Sequence, residues 1–252
     1  MEGLSAGVLT LLALIGLVGG IGVAAVGPGG VLPTIGLFVL TPLAPATVAG
    51  TAIATNIGTG VAGTVAYTIS GQLRDRATRR TAWILAATAV LGTPPGVLVN
   101  AHVSKRLFGI LLAAFVVVVA FLVWLRGRTT RVAAHPRDAV VAGLGLVVGA
   151  ASGLLGLGGP LLTVPLLVAL GVDALQALAA AQAQSVVIAT VGTIAYAVSG
   201  RVDWGLVLLI GLPELAGVLL GWRIARALPT RTLRLVLIVV LLALAPYLAL
   251  RS

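Results

Sequence analysis

The sequence predicts an all-α integral membrane protein built from two homologous repeats, each with about four spanning helices and one short helix that follows a glycine break. Three observations predict it. Of 252 residues, 60% are hydrophobic and only 9% charged, with a mean hydropathy of +1.18, whereas an ordinary soluble domain carries about a quarter charged residues. Apolar runs recur at lengths near the ~20 residues that one helical crossing of a bilayer requires. Finally, sliding the chain on itself by 129 positions lays Gly27-Pro28-Gly29-Gly30 on Gly156-Leu157-Gly158-Gly159, and the match runs without a gap to Tyr67-Thr68-Ile69-Ser70-Gly71 on Tyr196-Ala197-Val198-Ser199-Gly200. Fifteen of the 45 aligned pairs are identical, which marks a duplicated unit.

The first apolar run, Leu4 to Val26, is long enough to span, and Gly16, Gly19, Gly20 and Gly22 make its second half closely packable. Small residues of this kind line helix contacts in membranes. Met1-Glu2-Gly3 offers no basic segment ahead of it, so no cleavable signal peptide is expected. After the break comes Val31 to Leu40, ten residues, or about 15 Å of helix, enough for half a bilayer. A turn at Thr41 to Pro45 leads into Ala46 to Ser70, rich in Thr, Gly and Asn. There Thr47, Thr51, Thr55 and Asn56 fall near one face that should look onto protein or a cavity. Gln72 to Arg80 reads as a polar loop with four arginines. Trp83 to Asn100 spans again, with an interruption and kink expected at Gly92-Thr93-Pro94-Pro95-Gly96. Phe108 to Leu125 closes the first half.

The second half repeats the order: Ala139 to Leu155, the break, Pro160 to Leu170, Ala174 to Ser199, Trp204 to Trp222 and Leu233 to Leu250. Asp173 reads as the N-cap of the helix starting near Ala174. The whole is one membrane domain, 1–252, with repeat one at 4–125, a linker at 126–138 and repeat two at 139–252. The formal charge of +10 comes from 15 arginines and Lys105 against six acids. Because the arginines cluster in short loops, orientation and anionic lipid headgroups account for them better than nucleic acid does. An odd number of crossings per half puts the segments 74–80, 126–137 and 223–234 all inside, with twelve of the 16 basic residues. An even number gives ten against six. The positive-inside rule therefore favours inverted repeats with both termini outside.

No cysteine is present, so disulfides and thiolate sites are excluded. His102 and His135 lack partners at ligand spacing, so no metal or other cofactor is expected. No nucleophile–base set or paired carboxylates appear, and the chain does not read as an enzyme.

A helix that starts within the membrane leaves its first N–H groups unbonded and points its positive dipole end at whatever precedes it. Gly29, Gly30 and Val31 in one half, and Gly158, Gly159 and Leu161 in the other, are thus candidate donors to a small oxyanion near the midplane. Pro160 has no N–H but suits the first helical position. Thr55, Asn56, Gln184 and Ser185 are the candidate side-chain partners; Asn56 and Ser185 are repeat-equivalent, as are Thr55 and Gln184. Plain interhelical packing and hydrogen bonding is the alternative for all of them. Glu214 is the one acid well inside an apolar run. A carboxyl there is costly and marks a functional position, here a candidate proton carrier for coupling; a neutral Glu bonded to a neighbouring helix is the alternative. Its repeat equivalent is Leu85.

The duplicated unit and the stretch Gly156-Leu157-Gly158-Gly159-Pro160-Leu161-Leu162-Thr163-Val164-Pro165 resemble the TauE/SafE sulfite exporter family of prokaryotic membrane transporters. The resemblance covers nearly the whole chain. The family pattern has a third glycine where this sequence has Val31 and Pro160, and a proline five residues on, where the first half has Gly36. The resemblance implies movement of small sulfur-containing or organic anions, such as sulfite or sulfonates, coupled to an ion gradient across a prokaryotic plasma membrane. The partners expected are therefore a small anionic substrate and the lipid bilayer. A non-transporting membrane scaffold or accessory subunit is the competing expectation.

Overall fold

The computed structural model describes residues 4–25, 28–125 and 136–227. Gly27, the linker from 126 to 135 with His135, and the expected last span Leu233 to Leu250 lie outside the described residues, as do Arg231 and Arg234 of the third arginine cluster. The described chain is helical: α1 (Ala6–Ala25), α2 (Val31–Leu40), α3 (Pro45–Ile69), α4 (Arg76–Asn100), α5 (Lys105–Leu125), α6 (Asp138–Leu155), α7 (Pro160–Ala169), α8 (Ala174–Val198) and α9 (Trp204–Ala227). Single 3-10 turns, Pro28–Gly30 and Gln72–Arg74, precede α2 and α4. No strand occurs among the described residues. Five helices, α1, α4, α6, α8 and α9, are long and apolar enough to cross a bilayer. The ten-residue α2 and α7 reach about 15 Å, half the hydrocarbon thickness.

Elements recur at one spacing. Val31 and Pro160, which open α2 and α7, stand 129 positions apart, as do Pro45 and Ala174, which open α3 and α8. The last two helices have 25 residues each.

Glycines decide which helices pair and in which direction, because a missing side chain lets two backbones approach. Gly50 of α3 backs onto Tyr196, Gly60 onto Val186 and Gly63 onto Gln182. Numbers rise on α3 as they fall on α8, so these two helices are antiparallel. The outer pairs are parallel. Gly16 of α1 meets Ile210 of α9, Gly20 meets Glu214, and Gly217 and Gly221 return the contact to Leu17 and Ile21. On the other side Gly145, Gly149 and Gly153 of α6 lie against Leu85, Ala89 and Thr93 of α4, while Gly92 and Gly96 meet Leu146 and Ala150. Helices of the first half thus pack on helices of the second: α1 on α9, α4 on α6, α3 on α8.

Hydrogen bonds lock this arrangement at depth. Tyr196 Oη of α8 donates to Gly153 O of α6 at 2.7 Å. The Asp203 N–H, just ahead of α9, donates to Thr51 Oγ1 of α3 at 3.0 Å. At the helix ends, Arg80 pairs with Asp138 and Asn100 Nδ2 donates to Leu154 O, tying α4 to α6 top and bottom. Phe38 of α2 stacks obliquely on Phe108 of α5, ring centroids 5.4 Å apart.

Two sequence expectations need correction. The segment Gln72 to Arg80 is not all loop: α4 begins at Arg76, capped by Asp75, whose carboxylate accepts from Thr78 N–H at 2.8 Å and Thr78 Oγ1 at 2.9 Å. Arg76, Arg79 and Arg80 therefore sit in its opening turns, where long basic side chains can extend back to water. Nor is α4 interrupted at Pro94-Pro95; it stays helical to Asn100. The prolines remove two ladder donors, but the Thr93 hydroxyl donates to Ala89 O at 2.8 Å, and Gly92 and Gly96 seat the segment against α6. The expected cap at Asp173 is present, accepting from Leu175 N–H at 2.9 Å and Gln176 N–H at 3.3 Å.

Candidate functional site

The second break is built from the end of α6. Gly156 takes a left-handed conformation (φ 71°, ψ 38°), which glycine adopts without a Cβ penalty. Its N–H and that of Leu157 both donate to Ser152 O, at 2.8 and 3.0 Å. The same glycine lies directly on the backbone of Ala49 in α3, so no side chain fits there on either count. The chain then runs unwound through Leu157-Gly158-Gly159 before Pro160 starts α7. The backbone ladder of α7 opens with Thr163 N–H on Gly159 O at 3.2 Å. The amides of Gly158, Gly159 and Leu161 all come before that first bond, the positive end of the helix dipole.

The first break meets the second. The turn Pro28–Gly30 packs against α7, and Thr34 of α2 donates its hydroxyl to Gly156 O at 3.1 Å. Between the two breaks stands Asn56 of α3. A methyl on Gly158 would fall 2.7 Å from Asn56 Oδ1 and 3.3 Å from Ser185 Oγ, and one on Gly30 would fall 3.2 Å from the same Oδ1. Asn56 Nδ2 donates to Ala52 O at 2.9 Å, which turns Oδ1 toward the breaks. Gly159 lies against α8 at Ala181 O and Ser185 N.

One turn into α7, Thr163 donates its hydroxyl to Gln184 Oε1 at 2.6 Å. Gln184 is fully buried, and its Nε2 has no hydrogen-bond partner among the described residues. Val31 and Leu161 are buried at the starts of the two short helices. The structure thus brings Gly30, Asn56, Gly158, Gly159 and Ser185 together, with Gln184 beside them through Thr163. Gly29 and Thr55 face elsewhere. Gly29 rests on the backbone of α1 at Gly19, Gly22 and Val23. Thr55 turns toward α9, next to Gly211 and Glu214, and its hydroxyl donates to Ala52 O at 3.0 Å.

Sequence reasoning passed over Thr34 and Thr163, which tie the short helices to the opposite break and to α8. The signal was present: a threonine at the fourth position of each short helix, one of the identical pairs of the overlay. No group of three His, Asp or Glu side chains that could hold a metal occurs among the described residues. The helices that frame the break cluster, α2, α3, α7 and α8, carry no Asp, Glu, Lys or Arg, so an anion there would be held by neutral donors and helix dipoles. Two cavities of about 480 Å³ each lie toward opposite ends of α4, one lined by Arg74, Arg79 and Trp83, the other by Asn100, Tyr196 and Arg201.

A family model described as "Sulfite exporter TauE/SafE" matches residues 12–248 and so encloses both breaks, Asn56, Gln184 and Glu214. The chain belongs to the TauE/SafE sulfite exporter family. No curated protein sequence and no solved structure matches it. The TauE/SafE family comprises membrane exporters of sulfite and related anions rather than enzymes. With five described helices of spanning length, this member is a multi-pass protein of the plasma membrane.

Proposed function

We propose that this chain is a secondary transporter of small sulfur oxyanions or sulfonates, working by alternating access around its two helix breaks in a prokaryotic plasma membrane. The observation that carries this reading is the position of Asn56, one side chain shared by both breaks. Inverted-repeat transporters hold substrates near the midplane at the ends of discontinuous helices, and here two short helices meet on one polar residue. Unwound backbone at that depth is tolerated only where protein or a cavity covers it.

The common spacing of α2 with α7 and α3 with α8, and the antiparallel run of the last pair, support two repeats of opposite orientation. In that reading the anion takes hydrogen bonds from amides of Gly29, Gly30 and Val31 on one side and of Gly158, Gly159 and Leu161 on the other. As held, Asn56 offers the breaks an acceptor, which an anion cannot use. Binding therefore rotates the amide so that Nδ2 leaves Ala52 O and turns to the anion. Gln184 Nε2, buried and unpaired among the described residues, supplies a second side-chain donor and Ser185 Oγ a third, while Thr55, at the next position on α3, is turned to α9. Neutral donors suit a substrate that must also leave, since none of them binds it as a full countercharge.

The test is a thermal-shift panel on the purified protein with sulfite, thiosulfate, short sulfonates and small carboxylates, followed by flux of the stabilising anion into proteoliposomes. A ligand at 100 times its Kd stabilises by about 2.7 kcal/mol, enough to resolve. No shift and no flux with any of these anions would leave a non-transporting membrane scaffold as the better reading.

A further inference from the structure

Glu214 is fully buried in α9, and among the described residues neither carboxyl oxygen has a hydrogen-bond partner. It follows Pro213 and sits where α9 crosses α1 at Gly20 and passes α3 at Thr55. An ionised carboxylate buried without donors is among the costliest states a protein can hold, and among the described residues of α1, α3 and α9 no positive group stands beside it. Between Ala6 and Ala25, α1 carries no titratable side chain, and α3 carries only Tyr67, twelve positions beyond Thr55. On α9 itself the nearest basic residue is Arg223, nine positions on, about 13 Å along the axis.

The Thr55 hydroxyl lies beside the carboxyl. With its proton on Ala52 O at 3.0 Å, its oxygen can accept from a carboxylic O–H; turned the other way it gives a carboxylate one hydrogen bond, which offsets little of the cost of burying a charge. Thr55 is also chain neighbour to Asn56, so the Glu214 carboxyl of α9 and the break cluster abut adjacent residues of α3.

We propose that Glu214 is the proton site of the transporter, loaded in the conformation described and unloaded to water when α9 parts from α1 and α3. The proposal rests on the anion-transport reading above. The step balances simply: the O–H bond of the carboxyl breaks, the proton passes to a water molecule entering the opened seam, and a carboxylate remains until a proton returns. An anion at the breaks and a carboxylate at Glu214 repel each other, so anion binding favours the proton-loaded state, and by reciprocity the proton favours anion binding. Proton and anion then travel in the same direction, and a monovalent anion moves without net charge.

Two measurements on the full chain test this. Infrared spectroscopy of the protein in lipid at neutral pH is expected to show a protonated-carboxyl stretch that Glu214→Gln removes; the other five acids lie outside the spans or at helix starts. Absence of that difference overturns the proposal whatever the transport result. For coupling, proteoliposomes enclosing a pH-sensitive dye receive a gradient of methanesulfonate, which unlike sulfite carries no proton of its own near neutrality. The wild type is expected to move protons with the anion, and E214Q to move the anion with the pH signal reduced at least tenfold. Methanesulfonate flux without a pH change, or an undiminished pH signal in E214Q, overturns proton coupling while anion transport stands. An infrared band present with no flux of methanesulfonate, sulfite or thiosulfate overturns transport itself, and coupling with it.

Discussion

Thr163 of α7 donates its hydroxyl to Gln184 Oε1 of α8 across 2.6 Å, a side-chain bond that fixes a half-length helix to a full-length one. It also orients the amide, because with Oε1 engaged the free group is Nε2. Thr163→Val keeps the shape and removes the donor, leaving a buried carbonyl unpaired at a cost of about 1–3 kcal/mol. The expected result is a lower denaturation midpoint together with weaker anion stabilisation, read by thermal shift with and without sulfite.

Any side chain on Gly158 would have to displace the Asn56 amide. A methyl there would stand 2.7 Å from Asn56 Oδ1, closer than van der Waals contact, so Gly158→Val is expected to insert normally and lose at least nine-tenths of anion flux. Gly143→Ala in α6 is the matched control, since nothing lies within 4 Å of its added methyl, and it should transport as the wild type does. Full flux through Gly158→Val in reconstituted vesicles would refute a substrate role for the break.

Asn56→Asp is nearly isosteric and places a carboxylate between the two breaks. Repulsion should abolish stabilisation by sulfite and sulfonates near neutral pH. Asn56→Ser, which copies Ser185, the residue 129 positions on, should keep part of it. A titration of melting temperature against anion concentration separates the two variants.

Tyr196→Phe removes the 2.7 Å bond to Gly153 O, which joins α8 to the last turn of α6 without touching the unwound residues. A lost buried hydrogen bond of this type costs about 1 kcal/mol. The expected outcome is a small drop in thermal stability with flux unchanged, measured on the same preparations.

Much of this was legible in sequence. The two breaks, the ten-residue helices, the buried polar face of α3 at Thr51, Thr55 and Asn56, and the Asp173 cap follow from glycine, length and side-chain type, all local properties. Helix partners were not legible. Gly16 and Gly20 of α1, and Gly145 and Gly149 of α6, mark smooth surfaces but carry no label saying which helix fits them. Persistence of α4 through Pro94-Pro95 was hidden for a related reason: the local penalty is visible, whereas the Thr93 hydroxyl bond and the seat against α6 are tertiary. Within the site, the sequence named Asn56 but could not show that one amide touches both breaks, and it did not separate Thr55, turned to α9, from its neighbour.

The pairing of α1 with α9 has a consequence for how the protein is made. Residues 6–25 are translated well before their partner surface, with Gly217 and Gly221, which is among the last described stretches to be made. At roughly 5–20 residues per second, about 200 residues of synthesis separate the two, or on the order of 10–40 s. Through that interval the glycine groove of α1 faces lipid or an insertion factor instead of Ile210 and Glu214. Neither half can close its own outer seam, so the two must be completed by one another in the bilayer, and a ribosome that stops before α9 leaves that glycine face of α1 without its partner.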